Sequence, residues 1–304
     1  MYAPLQGIII PAATPFRPDG ALDLDAFEFN MHRWTATGIR GIMCLGSNGE
    51  FRSLDDEESL SVIAAAGRCK GDKTLIVGVA RESLSLTERF IDRVMALGVP
   101  IDYLSVLTPS YFASQMTDRV LCRYYTLLAD HSPLPLLIYV APKFTNGVKL
   151  SPEALAELAD HPNIAGVKDT SSDMMAAYSD AAGGRADFQI LAGSISNLMA
   201  CLARGGQGGV VSAANYFPEG CARITDLYFG GDQLEAAAQY DRMRALIGAT
   251  GGRYGTPGLK ACMNLLGYHA GVPRLPLEPL DADTCREIAC VLAKEGYPVE
   301  EVQP

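Results

Sequence analysis

The 304-residue sequence predicts an α/β fold, a (β/α)8 TIM barrel with a C-terminal helical extension. Eight short apolar runs recur along the chain at intervals of about 20 to 35 residues. Their hydrophobicity is nearly continuous, as expected for parallel strands buried on both faces. Amphipathic segments with a helical period follow most of the runs. Eight such strand–helix units are the number that a closed barrel requires.

The eight predicted strands are read directly from the apolar runs. In a barrel the active site gathers at the carboxyl ends of the strands, so the polar residues that close each run become the candidate site residues. The runs are Gly7–Phe16, Gly41–Ser47, Thr74–Ala80, Tyr103–Pro109, Leu134–Pro142, Ile164–Asp169, Phe188–Ser194 and Gly208–Ala214.

Helical patterns lie between the strands and continue beyond the last one. Leu84–Leu97 is one example, and Pro152–Ala159 is another, opened by Ser151 as N-cap and by Pro152 at the first helical position. After about Pro218 the strand signal disappears. We therefore expect a barrel domain, 1–217, and a C-terminal helical region, 218–304, that contains the last barrel helix and the extension.

An open, doubly wound sheet uses similar strand–helix units and is the alternative fold. The number and spacing of the runs favour the barrel. No glycine-rich dinucleotide fingerprint follows the first strand, which argues against a nicotinamide-dependent enzyme.

Composition excludes several classes of function. The formal charge is −10, with 25 basic residues spread along the chain, whereas a nucleic-acid surface needs a concentrated basic patch. No apolar run approaches the roughly 18 residues that span a bilayer. We therefore expect neither a nucleic-acid partner nor a membrane partner.

The cysteines and histidines indicate a reduced compartment and no histidine-built metal site. The eight cysteines are scattered without a CxxC motif, so we expect reduced and mostly buried thiols. The four histidines lie far apart in the sequence. Residues 1–4 lead almost directly into the first strand, without the features of an import peptide, and a cytoplasmic location is expected.

Lys168 is the most informative candidate, one of only seven lysines and placed at the end of the apolar run Ile164–Asp169. An apolar environment lowers the pKa of an amine and frees it as a nucleophile that can form a Schiff base with a carbonyl group. The alternative is an ion pair with Asp169, although neighbours in a strand point to opposite faces. Lys149, in a loop before Ser151, serves as a comparison and should be solvated. Lys260, on a predicted helix of the extension, is expected at the surface without a role.

Three other strand ends carry candidate residues. The second run closes with the segment 46–50, GSNGE, whose glycines allow free amides and the Ser47 hydroxyl to face a small carboxylate. The alternative is an ordinary turn in which Ser47 caps a helix. Tyr111 follows the fourth run and Tyr139 lies in the fifth. Each tyrosine could be a core residue, or a phenol that relays protons beside a lysine.

With these motifs in order, the chain resembles the dihydrodipicolinate synthase and N-acetylneuraminate lyase family, the pyruvate-dependent class I aldolases, over nearly its full length. The matching features are the GSNGE segment, Tyr111 after TPS, Tyr139 with Pro142, Lys168 in GVKDTS, LAGS at 191–194 and GGVVSAAN at 208–215. The resemblance implies a homotetramer, a dimer of dimers, of barrels that need no metal or added cofactor.

The resemblance also implies the roles of the site residues. Lys168 would form the Schiff base with the 2-oxo carbon of pyruvate or another small 2-oxo acid. The Ser47 hydroxyl and the Asn48 backbone N–H would hold the carboxylate, and Val211 would line the pocket. Tyr139 would shuttle the proton.

A second implied proton-transfer residue is Tyr111. By the resemblance, Tyr139 would be linked through Ser47 to a Tyr111 that reaches in from a neighbouring subunit. The protonated imine would act as the electron sink that allows a C3–C4 bond to break or form.

One departure from the family pattern bears on the second substrate. Dihydrodipicolinate synthases resemble YNVPSRTG at the fifth strand, with an arginine that binds the carboxylate of aspartate semialdehyde. Here Phe144 stands near that position, with one residue inserted, and Lys143 could supply a single charge. The segments GSNGEF at 46–51, HSP at 131–133 and GTPGLK at 255–260 look closer to the 4-hydroxy-2-oxoglutarate aldolase branch. This resemblance implies cleavage of a 4-hydroxy-2-oxo acid or a 2-keto-3-deoxy sugar acid.

Three alternative functions remain open at this point. One is dihydrodipicolinate synthase activity. Another is a non-catalytic member that only binds a 2-oxo acid, although every expected site residue is present. The third is a different barrel enzyme that uses Gly193, Gly208 and Gly209 to bind phosphate.

Overall fold

The structure is a computed structural model that describes residues 5–300, except residues 172, 183 and 186. Residues 1–4, where the sequence indicates a direct approach to the first strand, lie outside this description. Within it, parallel strands close into a barrel in sequence order, which confirms the predicted fold. The strands are β1 Gly7–Pro11, β2 Gly41–Cys44, β3 Thr74–Gly78, β4 Tyr103–Leu107, β5 Leu136–Val140, β6 Ile164–Asp169, β7 Gln189–Ala192 and β8 Gly208–Val210.

Helices surround the barrel and continue past its last strand. Those between strands are α1 Leu24–Thr35, α2 Asp56–Cys69, α3 Leu84–Ala96, α4 Asp118–His131, α5 Pro152–Ala159, α6 Met175–Ala181 and α7 Ile195–Leu202. The helices after β8 are α8 Pro218–Phe229, α9 Gln233–Ala249, α10 Gly255–Leu265 and α11 Ala282–Lys294. The helix α8 begins at the residue where the sequence suggests a division of the chain.

Most of the observed strands are shorter than the apolar runs that predict them. The run Gly7–Phe16 gives a strand of only five residues, because the chain leaves the sheet after Pro11. Its remaining apolar residues stay buried as part of the loop above the barrel. Hydrophobicity reports burial rather than hydrogen bonding, so it does not mark where a strand stops.

The predicted start of α5 is confirmed in detail. The Ser151 side chain accepts a hydrogen bond from the Ala154 N–H, and Pro152 occupies the first turn. The preceding Lys149 is exposed and pairs with Asp173 at 2.8 Å, as expected for a solvated lysine. Local capping chemistry therefore suffices to set this helix boundary.

A tightly packed layer of side chains fills the inside of the barrel. Each of the eight strands contributes one buried residue to it, and Leu5 precedes β1, so the inside of the barrel is a packed core. The residues of this layer are Leu5, Ile9, Met43, Ile76, Tyr103, Leu137, Ala165, Leu191 and Val210.

The cysteines are free thiols, and six of the eight are buried. Burial raises the pKa of Cys44 and of Cys221 to about 12, which keeps these thiols protonated at neutral pH. The expectation that the cysteines are mostly buried is confirmed. None of the helices described here is long and apolar enough to cross a membrane.

Gly78, the last residue of β3, packs against the backbone of the loop that follows β2. A Cβ atom at this position would lie 2.2 Å from the carbonyl oxygen of Leu45. Leu45 itself has a φ of 57°, a conformation that is uncommon for a leucine. The absence of a side chain at residue 78 therefore allows β3 to support a strained turn.

We expect Gly78→Ala to lower the free energy of unfolding by about 2 to 4 kcal/mol, since one backbone must move away from the other. The matched control is Gly248→Ala in α9, where an added Cβ meets nothing within 4 Å. That control should be neutral or stabilising by about 0.5 to 1 kcal/mol. Urea unfolding measures both variants, and equal stabilities would contradict the close approach.

Candidate active site

The amine of Lys168 lies at the carboxyl end of the barrel in an almost entirely apolar environment. The side chain is 4 % exposed. Its Nζ lies 3.8 Å from the centroid of the Tyr139 ring and 3.7 Å from Sδ of Met43. No ion pair joins it to a carboxylate in the described part of the chain. Burial therefore lowers the pKa of Lys168 from 10.5 to about 7.

Asp169 does not pair with Lys168, so this alternative for the lysine is wrong. The Asp169 carboxylate accepts hydrogen bonds from the backbone N–H of Ser171 at 2.9 Å and from its hydroxyl at 2.7 Å. Successive side chains of a strand point to opposite faces. The aspartate is thus satisfied behind the strand while the lysine faces the barrel interior.

An irregularity in β6 aligns Lys168 with Tyr139. Leu136 of β5 pairs with Ile164, but Leu137 pairs with Gly166, so β6 contains one additional residue at this point. Beyond the shift the register is regular and sets Tyr139 opposite Lys168. Such bulges often re-aim side chains near active sites. Here the bulge brings the phenol ring and the amine together on the inner face.

Ser47 lies next to Tyr139, and it does not cap a long helix. Its hydroxyl is 3.4 Å from the Tyr139 hydroxyl, a long hydrogen bond in which either group can donate. Burial raises the pKa of Tyr139, and the bond to Ser47 partly offsets this. The helix α2 begins only at Asp56 and is capped by Asp55. The capping alternative for Ser47 is therefore wrong.

The turn that carries Ser47 is held in an uncommon backbone conformation at both ends. Leu45 has a φ of 57° and Glu50 a φ of 49°, in the left-handed region that non-glycine residues rarely adopt. Between them, 47–49 form a single 3-10 turn. Strained residues persist where surrounding contacts determine them, and they are frequent at functional sites.

Asn48 and Val211 approach the site from neighbouring loops. The Ser212 hydroxyl donates a hydrogen bond to Oδ1 of Asn48 at 3.1 Å, which ties the loop after β8 to the loop after β2. Val211 is 1 % exposed and precedes this contact. The structure thus brings together Lys168 and Tyr139 with the turn of Ser47 and Asn48.

Tyr111, in contrast to Lys168, Tyr139 and Val211, is largely exposed within the single chain. It is 77 % exposed and packs edge-on against Phe112, which is 62 % exposed. Its position is fixed through the backbone, because Glu82 accepts hydrogen bonds from the N–H groups of Ser110 at 2.8 Å and Tyr111 at 2.6 Å. The side chain is thus accessible to another molecule.

Lys260 is buried, so the expectation of a surface position is wrong. It is 1 % exposed, and its Nζ lies 2.7 Å from Oε1 of Glu50. The helical period of α10 identifies a buried face but assigns a charged residue to solvent by default. A buried partner in a distant loop overrides this default, and nothing near Lys260 in the sequence signals such a partner.

Sequence reasoning missed several other residues of the site. The apolar run predicts Met43 only as a strand residue, whereas the alternation of side chains along β2 is the signal that places it inside the barrel. Glu82 and Ser212 act through contacts with distant loops and have no local signal. Glu50 closes the GSNGE segment, which by itself indicates no function for the carboxylate.

Two of the three glycines proposed for phosphate binding, Gly208 and Gly209, are part of the barrel sheet. Gly208 and Gly209 lie within β8 and pair with β1. Gly208 has a φ of 145°, and a Cβ there would lie 1.9 Å from the carbonyl oxygen of Gly7. Their backbone is thus committed to strand pairing, which disfavours the phosphate-binding alternative. Among the residues that the structure describes, no cluster of three His, Cys, Asp or Glu side chains could hold a metal ion.

Comparison with known proteins gives a consistent result. The model of the dihydrodipicolinate synthetase family matches residues 4–295. A 4-hydroxy-tetrahydrodipicolinate synthase from Xanthomonas axonopodis pv. citri is 33 % identical, over 91 % of this chain and 90 % of the relative. A probable mitochondrial 4-hydroxy-2-oxoglutarate aldolase from Emericella nidulans is 30 % identical, over 96 % of this chain and 94 % of the relative.

A solved structure shares the same fold and was obtained with a bound ligand. It is a prophage protein from E. coli K12 that belongs to the dihydrodipicolinic acid synthase family, in complex with pyruvate. The TM-score is 0.87 at 25 % identity, and the match covers 96 % of this chain and 99 % of that one.

We expect trace acetylation of Lys168 to rise with pH through a midpoint near 7. The neutral amine is the reactive form, and burial lowers the pKa to about 7, so the ammonium predominates below this pH and the amine above it. Peptide mass spectrometry measures the labelling, with a lysine model peptide in the same solution as reference, whose midpoint lies near its ordinary value of about 10.4. Coincident midpoints for Lys168 and the model peptide would contradict the apolar environment.

Proposed function

Because the chain belongs to the dihydrodipicolinate synthetase family, and is thus a pyruvate-dependent class I aldolase, we propose that it cleaves a 4-hydroxy-2-oxo acid to pyruvate and an aldehyde. Either 4-hydroxy-2-oxoglutarate or a 2-keto-3-deoxy sugar acid fits this description. The observation that carries the proposal is the buried, unpaired amine of Lys168 over the Tyr139 ring. A neutral amine at neutral pH is the requirement for Schiff-base formation.

The first step joins the substrate to the enzyme. The Lys168 amine adds to the C2 carbonyl, and the Tyr139 hydroxyl donates its proton to the departing oxygen, so that loss of one water gives a protonated imine and a tyrosinate. The Ser47 hydroxyl and the Asn48 backbone N–H hold the C1 carboxylate, since both are carried by the turn beside Tyr139. Val211 forms an apolar wall of the pocket. The turn supplies hydrogen-bond donors for the anion, so no separate cation is needed.

The second step breaks the carbon–carbon bond. Tyr139 removes the proton of the C4 hydroxyl through the Ser47 hydroxyl or directly, and the C4 oxygen becomes the aldehyde carbonyl. The C3–C4 bond breaks, and its electron pair moves through C3 and C2 to the imine nitrogen, which gives an enamine. Tyr139 then returns its proton to C3, which gives the protonated imine of pyruvate. Addition of one water releases pyruvate and the neutral amine, and the proton set free returns to Tyr139.

Tyr111 completes the proton relay in this proposal from a neighbouring copy of the chain. Its exposure supports that role, since the side chain is accessible to another molecule while its backbone is fixed by Glu82. We propose a homotetramer, a dimer of dimers, as the working assembly. The reduced thiols support a cytoplasmic location.

The side chains of the loop after β5 bear on which second substrate the protein accepts. Phe144 is 61 % exposed there, next to an exposed Lys143. A phenylalanine cannot form the bidentate contact that an arginine makes with a carboxylate. This supports an aldehyde partner selected without such a contact. The second candidate is condensation of pyruvate with aspartate semialdehyde, which the 33 % identical synthase from Xanthomonas favours.

We expect borohydride to trap a covalent adduct with pyruvate on Lys168, because reduction of the imine is irreversible. Lys168→Ala should abolish turnover, a loss of at least about a thousandfold, and still fold, since it removes a costly buried amine. Peptide mapping locates the adduct and circular dichroism checks the fold. The matched control is Lys149→Ala, which removes an exposed amine and should retain activity. An adduct at another residue, or none, would refute the mechanism.

We expect pyruvate release from 4-hydroxy-2-oxoglutarate or a 2-keto-3-deoxy sugar acid in a coupled assay, because the Lys168 imine withdraws electrons from the C3–C4 bond. The panel also includes N-acetylneuraminate, and a separate assay measures condensation with aspartate semialdehyde. Faster condensation than any cleavage would establish the synthase alternative. An adduct with pyruvate but no turnover in the panel or the condensation assay would indicate a non-catalytic 2-oxo-acid-binding protein.

A further inference from the structure

Glu50 and Lys260 form a buried ion pair directly behind the turn that carries Ser47. The Lys260 Nζ lies 2.7 Å from Oε1 of Glu50, and the two residues are 1 % and 6 % exposed. A buried pair is a poor source of net stability because both charges lose their hydration. Net stability alone therefore does not account for a buried Glu50–Lys260 pair beside the Ser47 turn.

Lys260 joins three separate segments of the chain at one point. Besides Glu50, its ammonium donates hydrogen bonds to the carbonyl oxygens of Thr14 at 2.8 Å and Val272 at 2.7 Å. Thr14 belongs to the loop after β1, and Val272 follows α10. The ammonium also lies 4.5 Å from the centroid of the Phe16 ring. Every direction around the ammonium is thus occupied, and it has little freedom to move.

Arg274 provides a second attachment for the Glu50 side chain. Its backbone N–H donates a hydrogen bond to Oε2 of Glu50 at 2.9 Å. Its guanidinium group binds the Glu58 carboxylate at 2.5 and 2.7 Å and the Ser53 carbonyl at 2.5 Å. Ser53 lies between the turn and α2, and Glu58 lies in the first turn of α2. Arg274, in the C-terminal extension, therefore holds both Glu50 and the start of α2.

Glu50 transmits these contacts to the turn through its backbone. Its N–H donates to the Ser47 carbonyl at 3.1 Å, and its own carbonyl accepts from the Ser53 N–H at 2.7 Å. Its φ of 49° is unfavourable for a glutamate, so the side-chain contacts must determine this conformation. Release of the carboxylate would allow Glu50 to relax and Ser47 to move with it.

We propose that Glu50 and Lys260 are positioning residues, which hold the Ser47–Asn48 turn in the geometry that binds the substrate carboxylate. This inference rests on the proposed function. Lys260 also neutralises the Glu50 carboxylate, which would otherwise repel an anion bound at the turn. The helical extension thus contributes to the substrate-binding turn through a helix that contacts no substrate.

The test measures the pyruvate concentration that gives half-maximal borohydride-trapped adduct on Lys168. In Glu50→Gln and Lys260→Met this concentration should rise about tenfold or more, because small displacements of binding groups are costly. The adduct formed at saturating pyruvate should still map to Lys168. Glu50→Gln preserves the shape of the side chain, so it keeps the proposal testable if Lys260→Met fails to fold.

Two controls separate positioning from stability. Leu292→Ala removes a fully buried side chain of α11 outside this cluster and should lower Tm without changing half-saturation by pyruvate. Lys149→Met removes an exposed ion pair with Asp173, at 2.8 Å, and should change neither Tm nor half-saturation by pyruvate.

Each outcome has a defined meaning. A lower Tm with unchanged half-saturation in Glu50→Gln, as in Leu292→Ala, would overturn the positioning role and leave the proposed function intact. Absence of any pyruvate adduct in the wild-type protein would instead refute the proposed function, and this inference with it.

Discussion

The burial of one amine is the constraint on which the site depends. Removing an ammonium from water is costly, and in this protein the cost is met by loss of the proton rather than by a counter-ion. The neighbouring carboxylate of Asp169 must therefore find hydrogen-bond donors other than Lys168, and the backbone N–H and hydroxyl of Ser171 supply them. The buried amine also requires neighbours that cannot stabilise a charge strongly, which an aromatic face and a thioether provide.

The closed barrel makes this arrangement possible because it delivers residues from distant parts of the sequence to one end. Met43, Tyr139 and Lys168 come from three strands, and their mutual positions follow from the sheet register and from one bulge in β6. The second requirement of the proposed function is met by the turn after β2, which would present hydrogen-bond donors to the substrate carboxylate. This turn is held by an unusual backbone conformation and by contacts from outside the barrel, rather than by the sheet itself.

The fold and the central lysine were predictable from sequence because each leaves a local signal. Strands buried on both faces give continuous apolar runs, and a charged residue at the end of such a run stands out, as the contrast between Lys168 and the solvated Lys149 demonstrates. Lys260 leaves no such signal. It lies in a helix with ordinary periodicity, and its burial depends on a carboxylate 210 residues earlier in the chain. Pairings of this kind are set by tertiary packing, which local sequence patterns do not encode. The same limitation concealed the contacts of Glu82 and Ser212.

The position of Phe144 has a consequence for how this enzyme can change over time. The amine is carried by a strand of the packed barrel, whereas Lys143 and Phe144 are exposed in the loop after β5. Substitutions in exposed loops cost little stability, so under the proposed function the preference for one aldehyde can change without disturbing the packed strand that carries Lys168. The group that reacts and the side chains that would meet the second substrate thus lie in parts of the fold that can be substituted independently.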